Sequence, residues 1–227
     1  MRVHWLQHAE HEELGCIGPW LAARQFRVRS TKLHAGDTPP AVTDFDWLIV
    51  MGGPMNIYQH DRYPWLIHEK ALIRDACVNN KKVLGICLGA QLLADVLGGR
   101  VTQNRHQEIG WFDVEMTEDG VGNRFFEDMP PSFQAFHWHG DTFAMPPGYR
   151  NLIKSDACVN QAFAGENRLG LQFHLEVTHA DAQRWLALDA PAAERYVQPA
   201  EKILREPARF AQNNRLMERI LDRFVES

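Results

Sequence analysis

Cysteine is scarce in this sequence: Cys16, Cys77, Cys87 and Cys158 are scattered through 227 residues, with no Cys-x-x-Cys spacing. That excludes a disulfide-stapled scaffold and fits a reducing compartment, which a cysteine nucleophile would need. No apolar stretch approaches 18 residues, and the segment from Met1 to His8 meets acidic residues by Glu10 without an apolar signal-peptide core. The expectation is a soluble, cytoplasmic protein without membrane contact. Lys and Arg never run beyond a pair, and 24 basic against 29 acidic residues give a net charge of -5. Nothing there attracts a polyphosphate backbone, so nucleic acid is excluded as a partner. Internal repeats, low-complexity segments and interdomain linkers are also absent.

What is present is ordinary globular composition, 45% hydrophobic and 23% charged, in a chain long enough to bury a sizeable core. Residues 1–227 read as a single α/β domain, with 189–227 as a C-terminal helical extension. Val3 to Gln7 reads as a first strand. The polar run His8-Ala9-Glu10-His11-Glu12-Glu13 reads as a solvated turn, and a helix is expected from about Pro19. Gln25 to Arg29 alternates like a half-exposed strand. Phe45 to Met51 is a nearly continuous apolar run, as for a strand covered on both faces, and it ends in Gly52-Gly53-Pro54. Pro64 suits the start of a helix that Asn79-Asn80 closes. Strands alternating with helices through residue 97 argue for a three-layer, mostly parallel central sheet. Beyond Gly99 the pieces are shorter and β-like (111–116, 132–138, 151–154, 158–164 and 169–173), which predicts an antiparallel edge. Thr178 can cap a helix to about Leu188, with Asp181 in its first turn. Phe210, Met217, Leu221 and Phe224 share one face of a last helix.

The densest chemical signal is Gly85-Ile86-Cys87-Leu88-Gly89-Ala90-Gln91, a short apolar strand running directly into a helix. So sharp a strand-to-helix turn needs residues without side chains two before and two after its apex, the outline of a nucleophile elbow. The adjoining helix N-terminus favours thiolate over thiol and can bind an oxyanion. A cysteine nucleophile needs a base, and His174 follows the apolar strand Leu169 to Phe173. Glu176 lies two residues on, on the same side of an extended segment, where it can orient the imidazole. Cys87, His174 and Glu176 therefore form a candidate triad. His137 and His139, with Asp141, could be read as metal ligands on one strand face, but no Cys or third His stands at ligand spacing, and neither a metal nor a cofactor is expected.

Four stretches together resemble the class I, triad-type glutamine amidotransferases: Met51-Gly52-Gly53-Pro54, the elbow, His139-Gly140-Asp141, and Gln172-Phe173-His174-Leu175-Glu176. They occur in the family's order across residues 51–176, and the likeness is greatest to stand-alone proteins similar to the amidotransferase domain of GMP synthase. The resemblance implies a flavodoxin-like fold and hydrolysis of the glutamine side-chain amide, with Cys87 attacking the carboxamide carbon. It places the oxyanion on the backbone N–H groups of Gly53 and Leu88, and Gln91 where the family contacts its substrate. Two departures bear on pocket shape. Trp138 stands where many members have a small hydroxyl residue, and Met55 where some have a second glycine. The residues leave two enzyme readings, a subunit supplying ammonia to a synthase or ligase, and a γ-glutamyl hydrolase or peptidase. A binding protein that kept the fold without turnover would not need all three triad positions filled.

Overall fold

The computed structural model describes residues 1–226. One nine-stranded sheet organises the chain, built from β1 (Arg2–Gln7), β2 (Arg27–Lys32), β3 (Trp47–Val50), β4 (Lys82–Ile86), β5 (Val101–Met116), β6 (Ser132–Phe143), β7 (Ile153–Ser155), β8 (Ala162–Ala164) and β9 (Arg168–Leu171). Its order is β2-β1-β3-β4-β9-β8-β7-β5-β6. The pairings from β2 through β9 are parallel, and those from β9 outward through β8, β7, β5 and β6 are antiparallel. The expected parallel sheet with an antiparallel edge is thus the observed one.

Burial explains the sequence pattern of the central strands. In β3 all four residues are buried, yet Trp47 and Ile49 join one core cluster while Leu48 and Val50 join another, as the two-residue repeat of a strand requires. The first cluster lies beneath α1 (Ile17–Ala23) and α6 (Pro207–Val225), through Ile17, Trp20, Met217, Leu221 and Phe224. The second lies beneath α2 (Trp65–Val78) and α3 (Leu88–Val96), through Leu66, Ile73, Leu92 and Leu93. Helices therefore cover both faces, giving three layers. The apolar face of α6 packs on its own chain. A third cluster, including Trp111, Phe136, Trp185, Ile203 and Phe210, fastens α4 (His179–Leu188), α5 (Ala200–Leu204) and α6 to the antiparallel edge. Thr178 and Asp181 cap α4 reciprocally, Thr178 accepting from the Asp181 N–H and Asp181 from the Thr178 N–H at 2.8 Å.

Some boundaries differ from expectation. α1 begins at Ile17, two residues before Pro19, and β2 runs over Arg27–Lys32 because it follows the register of β1, with Arg2 opposite Arg27 and Gln7 opposite Lys32. The largest departure is β5, whose polar first half from Val101 to Gly110 pairs with β6 across a register shift between Gln103 and Glu108. Pairing with β6 outweighs the missing hydrophobic alternation there. Among the described residues, no helix is long and apolar enough to cross a membrane.

Candidate active site

Ligand sites of open α/β sheets form beyond the carboxyl ends of the parallel strands, and here those ends carry His8 after β1, Gly52 and Gly53 after β3, Cys87 after β4 and His174 after β9. Cys87 occupies the apex between β4 and α3 with φ 51° and ψ −107°, a strained conformation for a side-chain-bearing residue. Its bracketing glycines are sterically required. A Cβ on Gly85 would lie 2.4 Å from the Gly89 carbonyl oxygen, and one on Gly89 would lie 2.0 Å from the Val50 carbonyl oxygen. The elbow is therefore wedged against β3, with the Cys87 S–H donating to the Trp138 carbonyl at 3.5 Å.

His174 and Glu176 are buried, and His174 Nδ1 donates to Glu176 Oε1 at 2.7 Å. That contact fixes the tautomer and leaves Nε2, which has no hydrogen-bond partner among the described residues, free to serve as a base. Burial opposes a charge on His174, but the Glu176 carboxylate and the Cys87 sulfur outweigh it and hold its pKa well above the ordinary value. By contrast, burial pushes up the thiols of Cys16, Cys77 and Cys158, the last to about 11. A Cβ on Gly52 would meet Glu12 Oε2 at 3.0 Å, His174 Cε1 at 3.3 Å and Cys87 Cβ at 3.7 Å, so these three side chains converge on one backbone point.

Gly53 and Leu88 lie together at the mouth of the elbow. A Cβ on Gly53 would meet Met55 Sδ at 2.7 Å, His8 Cβ at 2.8 Å and Leu88 Cδ2 at 2.9 Å. Both residues line a cavity of about 440 Å³ with Cys87, Gln91, Met55, Trp138 and Asp141. Gln91 is buried, and its side-chain amide donates to the Asp141 carbonyl at 3.3 Å and to Gln172 Oε1 at 3.2 Å. It is thus tied to two of the four motif stretches as well as lining the cavity. Asp141 also accepts from Asn56 Nδ2 at 2.8 Å, which joins the loop after β3 to β6.

Two residues that the sequence pattern assigns to a solvated turn prove to be buried. His8 is 1% exposed, donates from Nδ1 to the Gly52 carbonyl at 2.8 Å, and faces Glu69 Oε1 from Nε2 at 2.7 Å. The Gly52 carbonyl can only accept, so Nδ1 carries a proton, and the Glu69 carboxyl beside Nε2 favours the doubly protonated ring. Burial opposes that charge, but Glu69 and the Gly52 carbonyl outweigh it and raise the pKa. Glu12 is 9% exposed, and burial raises its pKa to about 7, with Glu176 adding to the shift and His174 and His8 opposing it. His11, half-buried, keeps nearer to the expected turn. The signal for His8 is its place one residue beyond the end of a central strand.

Beside the cavity, which His139 itself lines, Glu108, His137 and His139 bring ligand-type atoms within 4.8 Å of one another, all buried. The donor types suit zinc, but both Glu108 oxygens already accept hydrogen bonds, from Ser155 and Gln161, and Glu108 Oε2 also lies 3.0 Å from His139 Nε2. His139 Nδ1 in turn donates to the Asp141 carbonyl at 3.0 Å. Burial lowers the His137 pKa to about 3, which keeps it neutral. The cluster ties β5 to the His139-Gly140-Asp141 stretch of β6, and the glutamate that completes it is the member that histidine spacing could not reveal.

The family profile described as glutamine amidotransferase class-I matches residues 20–189. The chain is 31% identical over 183 residues to the glutamine amidotransferase-like protein YfeJ of Salmonella typhimurium, covering 78% of this chain and 77% of that one. It is 32% identical over 178 residues to one subunit of the glutamine-hydrolysing GMP synthase of Natronomonas pharaonis, covering 77% of this chain and 84% of that one. A glutamine amidotransferase crystal structure from Methylobacillus flagellatus superposes with a TM-score of 0.92 at 32% identity, over 99% of this chain and 94% of the other. One from Thermotoga maritima gives 0.91 at 31% identity, over 100% and 99%.

Proposed function

The chain belongs to the class I glutamine amidotransferases, and from that premise we propose that it hydrolyses the glutamine side-chain amide through a γ-glutamyl thioester on Cys87 and supplies the ammonia to a synthase or ligase. The observation that carries this reading is the His174–Glu176 contact of 2.7 Å beside a cysteine held at a strained strand-to-helix apex. His174 takes the proton of the Cys87 thiol, and the sulfur attacks the carboxamide carbon. Negative charge moves to the carbonyl oxygen, which the Gly53 and Leu88 N–H groups receive at the N-terminus of α3; loss of one such donor costs about 3 kcal/mol in the transition state. The C–N bond then breaks, and ammonia leaves with the proton from His174. Water enters, gives a proton back to His174, and splits the thioester to glutamate and free Cys87. Glu176 orients the imidazole and stabilises its charged form throughout. Gln91, tied to Asp141 and Gln172, shapes the cavity that holds the α-amino and carboxylate end.

Supply to a partner is supported by the likeness to a GMP synthase subunit. A second reading, a γ-glutamyl hydrolase, draws on a smaller cavity beside His174 that adjoins the first at Cys87. Glutamate release from equal concentrations of glutamine, a γ-glutamyl dipeptide and glutathione tests the two. Slow release from glutamine that rises when lysate fractions are added supports the donor reading, and brisk cleavage of the dipeptide or glutathione with negligible ammonia from glutamine overturns it.

A further inference from the structure

Cys87 stands between two cavities. The larger, of about 440 Å³, holds Gln91, Gln103, Gln107 and Asp141 but not His174. The smaller, of about 160 Å³, is lined by His174 together with Glu12, Trp138, Trp185 and Asp189. Gly53, Pro54, Cys87, Trp138 and Asp189 border both. In acyl transfer the histidine that protonates the leaving atom must face it. The scissile nitrogen therefore points into the smaller cavity, and the acyl chain occupies the larger.

Apart from the His174 ring, which is taken up by Glu176 and Cys87, the smaller cavity offers acidic and aromatic groups. Glu12 is nine-tenths buried there, with Oε2 close against the Gly52 backbone. Asp189 adds a second carboxylate at the rim. His11 also lines the cavity, and burial lowers its pKa, which keeps it neutral. Arg184 is committed elsewhere, pairing with Asp181 and with Glu13 at 3.0 Å. The walls are the rings of Trp138 and Trp185, packed edge to face with centroids 5.7 Å apart, and Trp185 also meets the His174 ring at 5.2 Å. Acidic groups and aromatic faces suit an amine and repel a carboxylate. A cavity near 150 Å³ holds a molecule of about six heavy atoms.

We propose that this cavity is the leaving-group subsite and that Glu12, assisted by Asp189, makes it select ammonia and small neutral or cationic amines over amino acids bearing a free carboxylate. The inference rests on the Cys87 thioester reading and narrows its substrate class: γ-glutamyl amides of small amines react, and γ-glutamyl amino acids are disfavoured. Cleavage follows the same balance, the C–N bond breaking as His174 protonates the departing amine and water then releasing glutamate.

The test compares γ-glutamylglycinamide with γ-glutamylglycine, which match in size and differ in a carboxamide against a carboxylate. With the purified full chain at pH 8, kcat/KM from glutamate release should favour the amide about tenfold or more, from like-charge repulsion at partly shielded distances. Glu12→Gln should shrink that preference severalfold, chiefly through KM for γ-glutamylglycine, and Asp189→Asn should shrink it less. The wild-type ratio stands without any variant. Equal kcat/KM for the two compounds, or hydrolysis of glutamine with cleavage of neither, overturns the subsite while leaving the thioester reading intact. Failure to release glutamate from glutamine, with no labelling of Cys87 by a glutamine-like affinity reagent, overturns both.

Discussion

Replacing His8 probes a part of the site that no motif announces. The His8 ring and the Glu69 side chain are both fully buried and 2.7 Å apart, so His8→Ala strands a carboxylate in the core. Breaking a buried pair in this way costs about 3–5 kcal/mol. For a chain of this length that lowers Tm by roughly 10 °C. The catalytic effect follows from the other nitrogen. Nδ1 holds the carbonyl of Gly52 at 2.8 Å, and that carbonyl shares a peptide unit with the Gly53 N–H assigned to the oxyanion. A ring N–H donated to the carbonyl both fixes the peptide plane and polarises its N–H, the more so as Glu69 raises the His8 pKa. Loss of one oxyanion donor costs about 10²–10³ in kcat, and His8→Ala should fall near the lower end with little change in KM. His8→Asn places an amide nitrogen near the Nδ1 position and should recover about tenfold of the loss, whereas His8→Gln, which reaches toward Glu69, should not. Steady-state glutaminase kinetics, with circular dichroism melts at the assay pH, provide the numbers. A His8→Ala enzyme within threefold of wild-type kcat, or His8→Asn no faster than His8→Ala, would refute the reasoning.

Other outcomes follow from the same geometry. A glutamine-like affinity label should add once, at Cys87, since burial raises the pKa of the other three thiols; peptide mapping that finds the adduct on Cys16, Cys77 or Cys158 would count against the elbow. His174→Ala should remove nearly all amide cleavage, while Glu176→Gln leaves a weakened enzyme because the carboxylate orients the imidazole without carrying its proton. Turnover by His174→Ala comparable to wild type would move attention to His137 and His139. Glu12 should show its burial as a stability cost. Its folded pKa of about 7 exceeds the ordinary 4.5, so its contribution is lost as pH rises from 4.5 through 7. Glu12→Gln should therefore be more stable than wild type at pH 8, by up to about 3 kcal/mol, and nearly equal to it at pH 4.5. Equal denaturant midpoints at pH 8 would show that Glu12 is not buried as a charge.

The parts of the site that were legible in the sequence are those where chemistry forces residue identity. Gly85 and Gly89 had to be glycine because a Cβ on either would enter backbone atoms, and His174 and Glu176 announce themselves by a two-residue spacing after an apolar strand. The alternation of strands and helices through Leu97 was equally readable, since strands covered on both faces are nearly all apolar. His8 and Glu12 escaped because hydropathy assigns a polar run to solvent, whereas the position beyond β1 places it against the Gly52 loop. The first half of β5 escaped for a similar reason. Its polar residues are held by pairing with β6 and by a register shift that brings Glu108 into contact with His139, and such a contact between strands leaves no local period to read.

The central claim is that the glutamyl group passes through the sulfur of Cys87, and acid quenching during turnover tests it most directly. The full chain mixed with excess glutamine, quenched in acid within the first turnovers and digested, should carry one glutamyl group as an acid-stable, hydroxylamine-labile thioester on the peptide containing Cys87. The adduct should be absent in Cys87→Ala and should accumulate when deacylation is slowed at low pH. Glutamate release at an undiminished rate by Cys87→Ala, or a glutamyl adduct on any other residue, would contradict the account.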